Sequence, residues 1–180
     1  MLRTIKKVFF VWEFEKEEKW LNEMSALGLQ LCGVGFCTYH FDEAAPGEYV
    51  YRLEMLDNWP THVKSLSYIR FLEDTGVEHV GSLLRWVYFR RKASDGGFDI
   101  YSDISSRISH LNRMLLLLGA VSAISLASAL NMLHSWLQSG VSSVFIIFSA
   151  CFAAFLLVGY GFVRICLRKR TLKREKVLRE

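Results

Sequence analysis

The chain has 180 residues, 52% of them hydrophobic, and a net charge of +4 from 22 basic and 18 acidic side chains. That charge is unevenly placed: residues 1–113 carry 14 Lys and Arg against 16 Asp and Glu, and residues 164–180 carry 8 against 2. The first 113 residues therefore lack the basic face that nucleic acid requires, which argues against direct nucleic-acid binding.

In chain order, Lys6–Phe14 is rich in β-branched and aromatic residues and reads as a strand. Glu15–Leu27 places Trp20, Leu21, Met24 and Leu27 at helical spacing. Its acidic first turn suits the helix dipole, and Gly28 is a C-terminal stop. Leu29–Phe41 reads as one strand whose Gly33 and Gly35 mark a bulge or a close backbone approach. Asp42–Gly47 is a turn. Glu48–Leu56 is the clearest strand, with Tyr49, Tyr51, Leu53 and Met55 as its core face. Pro60 sits where a helix begins, and Thr61–Thr75 follows with Val63, Leu66, Ile69 and Leu72 spaced for one buried face. Gly76 ends it. Val77–Ser82 and Arg85–Arg91 are two short strands joined tightly. No internal repeat is evident.

The order predicts an α+β domain of the ferredoxin-like β-α-β-β-α-β(β) type, the split βαβ pattern, over residues 1–92. Both helices would cover one face of an antiparallel sheet and leave the other open. Residues 93–113 form a linker and juxtamembrane segment, in which Ala93–Phe98 has turn chemistry and Asp99–Arg113 leads toward the membrane.

Met114–Leu133 and Val141–Val163 contain no Asp, Glu, Lys or Arg, and each has about the 20 residues that a helix needs to cross a bilayer. Residues 114–163 thus read as a two-span transmembrane hairpin. Residues 164–180 form a basic tail of the kind that the positive-inside rule places in the cytoplasm. Both termini are expected there, with only the Met132–Ser143 region outside. The N-terminus lacks the long apolar core and cleavage site of a secretory signal. Small residues recur at four-residue spacing (Gly119, Ala123 and Ala127 in the first span, Ser149 and Ala153 in the second), a pattern that lets helices approach closely.

Catalytic signatures are not evident. Cys32, Cys37, Cys151 and Cys166 have no metal-ligand or CxxC spacing, and His40, His62, His79, His110 and His134 are scattered. The carboxylates Glu13, Glu15, Glu17 and Glu18 read as a solvated first helical turn rather than as acid–base groups. No cofactor or metal is expected. On the open sheet face, Glu13, Arg52 and Glu54 are the candidate partner-binding residues, with cross-strand ion pairs on a solvated sheet as the plainer reading.

Five segments, FEKEEKWLNEMSALG, PGEYVYRLEMLD, YIRFLEDTGVEHVGS, RWVYFRRK and SDISSRISH, run in order through the first 110 residues. Together they resemble the bacterial family of domain of unknown function 2812, whose members often continue into a membrane hairpin. The resemblance implies a Gram-positive bacterial setting and a gene neighbourhood with PadR-like transcriptional regulators. It therefore implies a partner rather than a reaction, and it brings no catalytic residues. The expectation is a non-enzymatic regulatory or sensing protein of the cytoplasmic membrane whose cytosolic domain binds a protein or a small ligand. The alternative is a structural or accessory subunit of a membrane complex such as an exporter. A homo-oligomer that covers the open sheet face is compatible with either.

Overall fold

A computed structural model describes residues 2–99 and 104–179. They divide into two compact units at residues 103 and 104. The linker assigned to 93–113 opens with a short 3-10 turn at Ala93–Asp95, and its residues 100–103 lie outside the described residues.

The first unit is α+β, but its strands form two three-stranded antiparallel sheets among the described residues. The ferredoxin-like single sheet is not confirmed. β1 (Arg3–Lys6), β3 (Thr38–Glu43) and β2 (Leu29–Gly35) make one sheet in that spatial order. β4 (Tyr49–Met55), β6 (Trp86–Lys92) and β5 (Glu78–Leu83) make the other. Helix α1 (Phe14–Ala26) separates β1 from β2, and α2 (Val63–Asp74) separates β4 from β5.

Two departures from the sequence reading produce this outcome. The run Lys6–Phe14 is not one strand. β1 ends at Lys6, and a 3-10 turn at Val11–Glu13 feeds α1. Every residue from Val8 to Trp12 is apolar, so the segment has no alternation to hold it in a half-buried sheet. It folds over instead, setting Phe9 against Trp20 at 5.6 Å and stacking Phe10 on Trp12 at 4.8 Å. The run Leu29–Phe41 is a hairpin, closed by Phe36 and Cys37 between the paired Gly35 and Thr38. Cys37 takes a φ of 54°, a left-handed conformation that hairpin turns usually assign to Gly or Asn. Gly33 does mark a bulge, since the register shifts between Leu31 and Gly33.

The two halves repeat one another, contrary to the expectation of no internal repeat. Each is strand, helix, hairpin, with the first strand antiparallel to the third. An offset of 48 residues superposes their landmarks. Gly28 and Gly76 end the helices at φ 81° and 84°, and Gly33 and Gly81 sit at the two bulges. Leu21 and Ile69 are the buried helix anchors, and Tyr39 and Phe41 match Val87 and Phe89 on the strands beneath them. The duplication lies in the placement of glycines and core residues, while the surface residues share little.

The first core gathers Leu21, Leu31, Phe41, Tyr51, Leu53 and Tyr88, so α1 packs on residues of both sheets. The outer edge of β4 is capped by α1 side chains. Asn22 accepts from the Tyr51 amide at 2.8 Å and donates to the Tyr51 carbonyl at 3.2 Å, and Glu18 accepts from the Leu53 amide at 3.1 Å. Covering an edge strand in this way removes a template for unwanted pairing. At the far end of α1, buried Gln30 accepts from the hydroxyls of Ser25 and Tyr51 and donates to the Ala45 carbonyl at 3.0 Å. The second core (Leu56, Ile69, Val77, Val87, Phe89 and Phe98) lies on the other face of the β4–β6–β5 sheet, under α2. In α2 the buried residues are Ser65 and Ile69. Val63 and Leu66, expected inside, are exposed, because the helix is rotated to set Tyr68 toward Glu54.

The second unit is a hairpin of α3 (Ile104–Ser139) and α4 (Ser142–Arg179), turned at Gly140 with φ 63°. Both helices are long and apolar enough to cross a membrane. Only 17% and 0% of their most apolar stretches are buried, which is unlike the core helix of a soluble fold. α3 has 36 residues, about 54 Å at ~1.5 Å per residue, longer than the expected span. The basic tail continues α4 as helix.

Candidate functional site

The chemistry concentrates at one end of the first unit, where both hairpin tips meet the start of α1. Helical spacing sets Phe14, Glu17, Leu21 and Ser25 on one buried stripe of α1. Glu17 thus points inward among aromatic residues. From β3, the Tyr39 hydroxyl donates to Glu17 Oε1 at 2.7 Å, and from β6 the Tyr88 hydroxyl donates to the same oxygen at 2.6 Å. A carboxylate with one oxygen held by two tyrosines is a fixed acceptor.

A cavity of about 150 Å³ opens above it. Phe9, Phe10, Val11 and Phe14 form one wall, Phe36 and Cys37 come from the first hairpin tip, and Leu83, Leu84 and Trp86 come from the second. Lys7 stands at the rim. Phe36 and Leu84, equivalent under the 48-residue repeat, are 83% and 65% exposed. Leu84, like Cys37, has a left-handed backbone, with φ 56°. Such strained positions cluster at ligand clamps and switch regions.

Burial raises the Glu17 carboxyl above its usual range, against the opposing pull of the Tyr88 and Tyr39 hydrogen bonds. Burial, followed by the nearby Glu17 charge, pushes both tyrosines up as well, so their protons stay in place. The site is therefore a mostly apolar recess with a single acidic acceptor at its floor. The sequence reading treated Glu17 as part of a solvated acidic turn. Its four-residue spacing from Leu21 was the signal that it shares the buried face.

A shallower groove of about 400 Å³ runs along the other side of the α1 entrance. It shares Lys7 and Phe9 with the first cavity and adds Lys16, Lys19, Trp20, Glu13 and Glu23. Here the Lys7 ammonium lies 4.4 Å from the Trp20 ring and 5.0 Å from the Phe9 ring. Among the described residues, no group of three or more His, Cys, Asp or Glu is placed to hold a metal ion.

The profile of a family described as "Protein of unknown function (DUF2812)" matches residues 13–123. The chain belongs to this family. The DUF2812 match covers Glu17, both tyrosines and both hairpin tips, and it extends into α3. No curated protein and no solved structure is detectably similar to the chain.

In this DUF2812 chain the three residues singled out for partner binding have separate partners. Glu13 lies in the 3-10 turn, not in a strand, and bonds Lys16 at 2.7 Å. Arg52 on β4 lies 3.3 Å from Glu18 and helps α1 close the β4 edge. Glu54 is 4% exposed and accepts from the Tyr68 hydroxyl at 2.8 Å, so it lies under α2 rather than on an open face. That face is covered because α2 packs on the opposite side of the β4–β6–β5 sheet from α1.

In the DUF2812 hairpin, Gly119 does face the partner helix, since a Cβ there would sit 3.5 Å from the Phe162 ring. Ala123, Ala127, Ser149 and Ala153 are exposed. The buried apolar side chains of the two helices include instead Leu111, Met114, Leu118, Ala129 and Ile165.

Proposed function

We propose that this DUF2812 protein is a non-enzymatic ligand-binding protein of the bacterial cytoplasmic membrane. The α3–α4 hairpin anchors it with both termini in the cytoplasm, and the first unit binds a small molecule in the recess above Glu17. The observation that carries this reading is the buried Glu17 at the floor of an apolar cavity rimmed by two left-handed hairpin residues. Few convergent polar groups in an apolar recess is the usual composition of a small-ligand site. The downstream partner in this reading is a PadR-like transcriptional regulator. It would respond only if the ligand favours one of two states of the domain.

The test is a thermal-melt screen of the full-length protein in mild detergent against small aromatic and aliphatic compounds of each charge type. Binding compounds should raise the melting temperature, and Val11→Trp, which fills the cavity, should abolish that rise. If every compound in the screen leaves the melting temperature unchanged, the recess is not a ligand site.

The exposure of Ala123, Ala127, Ser149 and Ala153 favours a second reading, lateral association of the hairpin with another membrane subunit. Small residues facing outward suit close helix contact. Under it, Ala123→Leu dissociates the native complex in detergent by size-exclusion chromatography, with helix content unchanged by circular dichroism. An unchanged complex removes this reading.

A further inference from the structure

We infer that the ligand of the Glu17 recess is a small organic ammonium compound, a cation carrying an aromatic or alkyl group. This inference rests on the recess being a ligand site, and it names the chemistry of what enters it.

Three observations on different elements converge. The first is charge: the floor of the cavity is a carboxylate whose Oε1 already accepts from Tyr39 and Tyr88. Both of these neighbours are neutral donors, which stabilise the carboxylate but bring no positive charge to it. Tyr39, Tyr88, Cys37 and the rim residue Lys7 are the titratable groups that line this site beside Glu17. Among the described residues that line the recess only Lys7 is a cation, and its ammonium lies over the Trp20 and Phe9 rings.

The second observation is the wall. Phe9, Phe10, Phe14, Phe36 and Trp86 ring the opening, and Phe14 stacks on Trp86 at 5.9 Å. Aromatic faces around a desolvated site attract cations through the ring quadrupole, and they suit alkylated ammonium groups, whose hydration is weak. The chain itself places a cation on this cluster, since Lys7 rests on Phe9, a residue common to both cavities.

The third observation is size. A recess of about 150 Å³ is smaller than the sites that enclose drug-sized ligands. It admits a compact head with one ring or a short alkyl chain. An anion would meet Glu17 directly. A neutral compound of the same shape would gain the apolar contacts alone.

The experiment compares three probes of nearly equal shape: phenethylammonium, 2-phenylethanol and phenylacetate. Each is titrated into full-length protein in mild detergent at neutral pH, with binding read by calorimetry and by tryptophan fluorescence. The expected result is binding of phenethylammonium at least about tenfold tighter than 2-phenylethanol, a difference of ~1.4 kcal/mol. In Glu17→Gln the preference should vanish while 2-phenylethanol binding is retained. Equal affinity for ammonium and alcohol, or tighter binding of phenylacetate, overturns the ammonium assignment and leaves the recess as a ligand site. An ammonium preference that survives in Glu17→Gln also overturns it, because the charge would then be recognised elsewhere. Binding of none of the three probes overturns this inference, whereas the wider reading of a ligand site falls only if the full thermal screen is also blank.

Discussion

Gly28→Ala is expected to destabilise the first unit by about 3 kcal/mol, and Gly76→Ala by only about 1 kcal/mol, as a left-handed alanine alone costs. The two glycines occupy the same place in the repeat and have nearly the same backbone, φ 81° and 84°. They differ in what a methyl group meets. At Gly28 a Cβ would stand 2.9 Å from the Ala44 carbonyl oxygen and 3.5 Å from the Pro46 ring. At Gly76 it meets nothing within 4 Å. The Ala44 strand end cannot simply retreat, because its amide donates to the Gly28 carbonyl at 2.9 Å, and Ala45 is tied to Gln30 at 3.0 Å. Denaturant melts of both full-length variants, followed by tryptophan fluorescence, measure the difference. Equal losses mean that the 44–48 connection between β3 and β4 yields freely and that only the backbone conformation matters at Gly28.

The same pair of glycines indicates how much of this fold was legible in the sequence. Both helix stops were readable, because glycine after an amphipathic run marks a left-handed cap. The core face of β4 was equally plain, since Tyr51, Leu53 and Met55 alternate with polar residues, and all three are buried. The hairpin at Phe36 and Cys37 was not legible. Its turn carries no Gly, Asn or Asp at the left-handed position, and the tip residue Phe36 resembles a strand residue by composition. With that turn hidden, β2 and β3 merged into one strand, the repeat disappeared, and one sheet was expected where there are two.

The site was lost for a related reason. Charge at a helix start ordinarily means solvent, and of the four carboxylates there only Glu17 falls on the buried stripe. Its two tyrosine partners come from strands 22 and 71 residues away in sequence, a distance across which local pattern carries no information. The apolar spans, by contrast, are declared by composition alone, although composition does not show which small residues face the partner helix.

Glu17 itself carries the second large effect. Glu17→Ala leaves two buried tyrosine hydroxyls without their acceptor and is expected to cost about 2–6 kcal/mol, at ~1–3 kcal/mol for each orphaned group. Glu17→Gln keeps an oxygen that accepts from both and removes the penalty of burying a charge, so it is expected to be more stable than the wild type at neutral pH. The pH dependence fixes the sign. The folded carboxyl titrates above its ordinary value of 4.5, chiefly because it is buried. Between that value and the raised folded one, the native state holds a proton that the unfolded chain has released. Stability therefore falls as pH rises through this window, by up to about 1.4 kcal/mol per pH unit, and is level above it.

Glu18, also raised by burial, adds a slope of the same sign that both proteins share. Melting curves of wild type and Glu17→Gln should thus coincide near pH 4 and separate toward pH 8, with the glutamine variant above. A gap independent of pH would mean that Glu17 is no more costly to ionise in the folded protein than in the unfolded chain. A bound ammonium group offsets part of the energy lost when the empty site ionises, because it supplies positive charge beside the carboxylate. The glutamine substitution that stabilises the empty protein is therefore the one expected to remove its preference for a cation.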